Sequence, residues 1–297
     1  MSDFATMRDQ MEKGAGFIAA LDQSGGSTPK ALALYGVEAS DYANEDEMFA
    51  EIQKMRARII QSPDFTGQKV IGAILFEKTL REQIGGDPVP AHLWNTRQVV
   101  PFLKIDKGLE DEANGVQLLK PIPGLAETLA EARGMGIFGT KERSVIHSAN
   151  TAGIEAVTAN QFDVADVVMG AGLVPIIEPE VNIHSDTKAE AEAMLADALM
   201  RHVETLGEGQ DIMLKLTLPE QPGLYDALAD HPRVLRVVAL SGGYSTDEAS
   251  ARLAQNHKMI ASFSRALTEG LRRDLSDDGF VAALGRNINQ IYQASIT

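Results

Sequence analysis

Short apolar runs alternate with amphipathic helical stretches along the whole of this chain, and no other feature limits its fold so closely. The runs occupy residues 16–22, 70–76, 102–106, 136–141, 174–180, 212–218, 234–241 and 259–263. They are nearly continuous in hydrophobicity rather than alternating, the pattern of strands buried on both faces. Between them, residues 46–60 carry Met48, Phe49, Ile52, Met55 and Ile59 at three- and four-residue spacing, and residues 124–133 and 187–206 read as helices in the same way. Another helix begins at Thr246, where Thr246-Asp247-Glu248 offers N-cap chemistry. Parallel strands need crossover connections, usually helical, to reach one another. Eight such units predict an α/β fold closed into a single TIM (β/α)8 barrel over residues 1–297, a length that suits one. No Pro/Ser-rich linker or low-complexity tract marks a second domain.

One run carries a charge. Ile212-Met213-Leu214-Lys215-Leu216-Thr217-Leu218 sets a lysine in a strand that is apolar on both sides, where an unpaired ammonium is costly. At a reference pKa near 10.4, roughly one lysine in a thousand is free amine at pH 7. Desolvation and neighbouring cations both lower that value, and the neutral amine attacks carbonyl carbons. Lys215 is therefore either an imine-forming nucleophile or a strand-end lysine paired with Glu178. Lys104, Lys141, Glu178 and Lys215 stand 37 residues apart. Each lies within or near the C-terminal end of a predicted strand, the end from which catalytic groups of such barrels project. Four charges from consecutive strands then converge on one mouth, which favours the nucleophile.

Glu178, in Pro175-Ile176-Ile177-Glu178-Pro179-Glu180, suits the acid/base work of carbinolamine formation and dehydration. It also suits plain compensation of Lys215. Glu180 shares its face. Asp22 ends the first strand, placed to bind or deprotonate a substrate hydroxyl, and the Ser24-Gly25-Gly26-Ser27 segment after it has the amides and hydroxyls of an anion nest. Lys104 and Asp106 share a face by strand alternation, so Asp106 orients Lys104. Arg143, two residues past Lys141, faces the mouth in the same way. Ser241-Gly242-Gly243 follows the seventh run, and Ser262-Phe263-Ser264-Arg265 follows the eighth. The loops after strands seven and eight are the recurrent phosphate site of this fold. Glycine there allows close backbone approach, and arginine grips two phosphate oxygens at once.

Composition removes several function classes. With 27 Lys and Arg against 42 Asp and Glu, the net charge is −15, and no basic face is available for nucleic acid. No apolar stretch approaches the length needed to cross a membrane. Met1-Ser2-Asp3-Phe4 lacks the charged-then-apolar pattern of a secretion signal, and there are no cysteines for disulfides or thiolate–metal sites. A cytoplasmic location is expected. The histidines form no ligand pattern, so no metal and no cofactor are expected; His184-Ser185-Asp186 reads as a helix cap at Ser185 or Asp186. The expected partner is a small sugar phosphate, and self-association is left open.

Taken in order, these segments resemble the class I, Schiff-base fructose-1,6-bisphosphate aldolases, especially the shorter bacterial members. The motifs are Ala20-Leu21-Asp22-Gln23-Ser24, Lys104-Ile105-Asp106-Lys107-Gly108, Lys141 with Arg143, and Val174-Pro175-Ile176-Ile177-Glu178-Pro179-Glu180. Leu214-Lys215, Leu240-Ser241-Gly242-Gly243 and Phe263-Ser264-Arg265-Ala266-Leu267 complete them. The resemblance implies metal-independent, reversible cleavage of fructose 1,6-bisphosphate to dihydroxyacetone phosphate and glyceraldehyde 3-phosphate. It makes Lys215 the imine lysine, Asp22 the base on the C4 hydroxyl, Glu178 the acid/base of imine chemistry and Lys141 a stabiliser of developing charge. It gives the C1 phosphate to Ser241, Gly242 and Arg265 and the distal phosphate to Ser24, Ser27 and Lys104, with Gly243 and Arg143 expected among the residues that bind the substrate. The chain departs from the animal enzymes at its C-terminus, where no tyrosine ends the tail and Tyr292 reads as a helix core residue. Gln23 stands where those enzymes carry Glu, and Ala31, after Lys30, where they carry Arg; both touch the distal phosphate grip. Two rivals remain: a transaldolase-like imine enzyme, and a non-catalytic sugar-phosphate sensor, which would have no use for the acid/base set.

Overall fold

A computed structural model describes residues 3–297. Eight parallel strands follow one another around a nearly closed barrel. They are β1 (Phe17–Leu21), β2 (Val70–Leu75), β3 (Val100–Lys104), β4 (Gly139–Ile146), β5 (Val174–Val181), β6 (Ile212–Thr217), β7 (Val234–Leu240) and β8 (Met259–Ala261). Gln23 Nε2 donates to Ser264 Oγ at 2.8 Å, joining the loops that leave β1 and β8. Helix α1 (Asp3–Lys13) lies at the N-terminal end of the barrel, and the outer layer holds α2 (Ser27–Tyr35), α3 (Glu45–Gln61), α4 (Leu125–Gly134), α5 (Thr151–Gly170), α6 (Lys188–Val203), α7 (Thr246–Leu253) and α8 (Asp277–Ser295). No helix among the described residues is long and apolar enough to cross a membrane.

Strand alternation divides the apolar residues into two cores. Ile18, Ile74, Phe102, Ile176, Met213, Val238 and Ile260 fill the barrel interior, and Met7 and Met11 of α1 join them. Arg236, on β7, donates to the backbone oxygens of Met11 and Glu12 at 2.9 and 2.7 Å, which fixes α1 across the N-terminal end of the barrel. The opposite strand faces, with Phe17, Leu75, Leu103, Ile177 and Leu214, pack outward against the helices. The polar residues of the interior are therefore pushed to the C-terminal end.

The helices expected at 46–60, 124–133 and 187–206 are α3, α4 and α6. Asn44 caps α3, its Oδ1 accepting from Glu47 N, and Glu45, Asp46 and Glu47 suit the positive end of the helix dipole. The helix at Thr246 is α7, capped by the preceding Ser245, whose hydroxyl accepts from Glu248 N. In the 184–186 segment Ser185 Oγ accepts from Thr187 N, and the N-cap of α6 falls on Thr187.

Two elements differ from the sequence pattern. The run at 136–141 predicts a strand there, yet β4 begins at Gly139 and continues to Ile146. Gly136 is spent on the left-handed turn that ends α4 (φ +83°), and beyond Lys141 the ladder continues through Glu142, Arg143 and Ser144, polar residues outside the predicted run. Arg143 thus lies within β4 rather than in a loop. The 20-residue α5 has no clear apolar stripe because its buried face mixes Ile154, Val157 and Phe162 with Gly153, Thr158 and Gln161.

Candidate active site

The C-terminal end of the barrel gathers the charges that the 37-residue spacing foretells. Lys104 and Lys141 are direct cross-strand partners. The next step climbs by two residues, so Arg143 rather than Lys141 stands opposite Glu178. Lys141 becomes the hub. Its Nζ lies 2.8 Å from Asp22 Oδ2, 3.0 Å from Glu178 Oε2 and 3.9 Å from Asp106 Oδ2. Glu178 turns its other oxygen, Oε1, to Lys215 Nζ at 3.0 Å. Lys141, Glu178 and Lys215 are each at most 4 % exposed, so these contacts are made almost without water. Lys215 is one inward layer above Met213 of the interior core, on the barrel side of β6.

Around this chain of charges stands a second ring. Lys104 Nζ pairs with Asp106 Oδ1 at 2.5 Å, as alternation requires, and Asp106 Oδ2 also accepts from the amide of Arg143 at 3.3 Å. Arg143 pairs with Glu180 at 2.8 Å. Burial works to raise the Asp22 carboxyl, but Lys141, Lys215 and Lys104 outweigh it and hold Asp22 well below the usual carboxylate range. Burial works to lower Lys141, but Asp22, Glu178 and Asp106 hold it above the ordinary lysine value. The site therefore presents a fixed ammonium and a fixed carboxylate side by side. The ion pair of Lys215 among the described residues is with Glu178, a carboxylate it shares with Lys141. Among the described residues no cluster of His, Asp and Glu is arranged to hold a metal; the converging carboxylates enclose an ammonium.

Two loops flank the charges. Gly242 and Gly243, after β7, take φ values of +60° and +134°, a stretch of backbone that other residues adopt with strain. A β-carbon at Gly242 would fall 2.6 Å from Ile183 Cγ2, and one at Gly243 would fall 3.7 Å from Arg265 Nη2. The structure thus brings the glycine loop and Arg265 together, and Ser241, just before the loop, is buried. On the β1 side, Ser27 opens α2, and its hydroxyl bonds both the amide and the carbonyl of Ser24 at 3.0 and 2.8 Å. Gln23, in the same segment, turns inward to Ala20 O and Ser264 Oγ. Tyr292 packs against the core, and Lys69, which precedes β2 at the N-terminal end of the barrel, lies over its ring at 5.9 Å. That is the far end from the mouth.

Sequence reasoning overlooked Arg56. It is 1 % exposed and sits on the buried face of α3 with Ile52, Met55, Ile59 and Ile60. The signal was an arginine at i+4 from Ile52 on an otherwise apolar face.

A family model for class-I fructose-bisphosphate aldolase (glycolytic) matches residues 4–222. Over 288 residues the chain is 56 % identical to a class 1 fructose-bisphosphate aldolase of Synechocystis, covering 97 % of this chain and 96 % of that protein. A class 1 fructose-bisphosphate aldolase of Porphyromonas gingivalis is 51 % identical, at 97 % of each. Among solved structures, the fructose-bisphosphate aldolase of Plasmodium falciparum superposes with a TM-score of 0.80 at 23 % identity, over 99 % of this chain and 94 % of that one. At that identity the likeness speaks for the barrel alone.

Proposed function

The chain belongs to the class I fructose-bisphosphate aldolases, lyases that act through a lysine imine without a metal, and we propose that its site residues divide that reaction as follows. Lys215, as free amine, adds to the C2 carbonyl of fructose 1,6-bisphosphate. Glu178, 3.0 Å from Nζ, delivers to the carbinolamine oxygen both the proton that Lys215 gave up to become a free amine and the one shed by the adding nitrogen, so the oxygen departs as water and one proton stays on nitrogen. The protonated imine then stands at C2. Asp22 takes the proton of the C4 hydroxyl, the C3–C4 bond breaks, and its electron pair moves to the imine nitrogen. Glyceraldehyde 3-phosphate leaves and an enamine remains. Protonation at C3 and hydrolysis release dihydroxyacetone phosphate. Lys141 keeps Asp22 anionic and ready to accept, and lies against Glu178 where charge develops.

Ser241, Gly242, Gly243 and Arg265 hold the C1 phosphate; Ser24, Ser27, Lys104 and Arg143 hold the distal one. Proximity of the β7 loop to Arg265 supports the first set, and the Ser24–Ser27 turn at the start of α2 supports the second. We read residues 1–297 as one barrel domain, working in the cytoplasm, where a cysteine-free chain needs no oxidising compartment.

The observation that carries this reading is the shared carboxylate: one buried Glu178 paired with both Lys215 and Lys141, with Asp22 and Asp106 also paired to Lys141. Borohydride reduction in the presence of dihydroxyacetone phosphate, followed by peptide mapping, should find the substrate carbons on Lys215. A folded protein labelled elsewhere, or nowhere, would sink the assignment.

A further inference from the structure

Arg56 is a cation with no anion of its own. Nη2 donates to the backbone oxygen of Gln23 at 2.6 Å and approaches Gln23 Oε1 at 3.4 Å, and Nη1 donates to Thr79 Oγ1 at 2.9 Å. Its Nε is buried with no partner. Among the described residues no carboxylate forms an ion pair with it. A buried charge in that state costs several kcal/mol, so a side chain kept in it calls for a reason. Burial pushes the guanidinium down to about 10, opposed by the carboxylate of Asp22, and it remains charged at neutral pH.

The contacts of Arg56 join four parts of the barrel. Thr79 lies just after β2, Arg56 is on α3, and Gln23 follows β1; through its own amide Gln23 reaches Ser264, beside Arg265 after β8. Gln23 is the next residue after Asp22. A fork that grips the Gln23 carbonyl therefore sets the backbone on which the Asp22 carboxylate rides.

We propose that Arg56 is a positioning residue for Asp22, fixing the β1 exit through its grip on the Gln23 carbonyl. The inference rests on Asp22 as the base at the C4 hydroxyl. It acts on carbon–carbon cleavage alone, because imine formation with dihydroxyacetone phosphate involves no C4 hydroxyl.

The test compares the two steps in Arg56→Met, Arg56→Lys and Thr79→Val. Misplacing a reacting group by about an ångström costs on the order of 100-fold. Arg56→Met should lose 10- to 100-fold in kcat for cleavage (roughly, on that scale), with KM changed far less. Its borohydride labelling by dihydroxyacetone phosphate should match the wild type. Arg56→Lys, which keeps the charge and one donor, should recover part of the kcat. Thr79→Val, which frees only Nη1, should show a smaller loss of the same kind and carries the test should Arg56→Met fail to fold. Equal loss of cleavage and labelling, or unchanged kcat in folded variants, overturns the role of Arg56. Absence of label on Lys215 in the wild type overturns the reaction assignment instead, whatever the variants do.

Discussion

Removal of the Lys141 ammonium exposes how much of the site is held by opposed charge. Lys141→Met keeps the volume of the side chain and deletes its charge. At an effective dielectric near 20, unit charges attract by about 6 kcal/mol at the distance of Asp22, about 5.5 at that of Glu178 and about 4 at that of Asp106. These gross attractions are largely offset by the desolvation of the ions, several kcal/mol each. Two of the three carboxylates also retain a cation, since Glu178 keeps Lys215 at 3.0 Å and Asp106 keeps Lys104 at 2.5 Å. Asp22 keeps none in contact, so the loss concentrates there. Breaking a buried pair costs about 3–5 kcal/mol, and the retained cations place this variant near the lower end.

The pH dependence has a definite sign. A carboxylate whose folded pKa is depressed adds stability above its unfolded pKa and loses it as the pH falls through the folded one. In the wild type Asp22 is such a group. In Lys141→Met the main cause of the depression is gone, and Asp22 relieves its isolation by taking up a proton. The stability gap between wild type and variant should therefore be widest near pH 7.5 and narrow toward pH 5. Urea unfolding followed by far-UV circular dichroism at the two pH values measures it. Adding Asp22→Asn to the variant should restore most of the loss at pH 7.5, and cleavage activity should be absent throughout. A gap below about 1 kcal/mol at pH 7.5, within the range of a surface pair, or a gap that widens on acidification, refutes the reasoning.

Other outcomes follow from single features. Gly242→Ala puts a β-carbon 2.6 Å from Ile183 Cγ2 on a left-handed backbone, and should raise KM for fructose 1,6-bisphosphate while costing about 1–3 kcal/mol of stability. Adding Ile183→Ala should return the packing part of that cost and leave the backbone part, read by thermal melting. Glu142 is fully buried behind β4, touching Thr140 Oγ1, and one of its oxygens has no partner. Burial, aided by Asp106, pushes its carboxyl well up. A carboxyl raised in the folded state holds its proton more tightly there, so stability falls as pH climbs past the unfolded value. Glu142→Gln should match the wild type at pH 4 and exceed it at pH 8 in urea midpoint.

The barrel was legible because strands buried on both faces leave long apolar runs and because each must be followed by a crossover. What escaped was structure built on polar residues. The apolar run stops at Lys141, yet β4 continues to Ile146, with Lys141 and Arg143 pointing into the mouth while Thr140, Glu142 and Ser144 face α5, where Gln161 bonds Glu142 O and Ser144 Oγ. Polar groups that satisfy one another inside a layer carry no hydrophobic signature. Arg56 hid for the opposite reason: it sits in an apolar stripe regular enough to read as ordinary amphipathic helix. Gln23 invited comparison with a phosphate-gripping acid, but its amide is committed to Ser264, so its identity bears on barrel closure first.

The 37-residue spacing shows how far such a pattern reaches and where geometry must take over. It places Lys104 and Lys141 side by side, because β3 and β4 pair without offset at that interval. It would place Glu178 beside Lys141 too, but the β4–β5 register is two residues higher. β5 and β6, by contrast, pair without offset, Ile176 against Met213 and Ile177 against Leu214, so Glu178 stands beside Lys215 and gives it one oxygen while the other reaches back to Lys141. Glu178 thereby connects the cation that holds Asp22 to the amine proposed to attack the substrate. The contacts of the two lysines differ. Asp22 and Asp106 pair with Lys141 at 2.8 and 3.9 Å, while among the described residues Lys215 pairs with Glu178, at 3.0 Å. The proposed division of labour follows these contacts: Lys141 holds Asp22, and Lys215 meets the substrate carbonyl with Glu178 beside it.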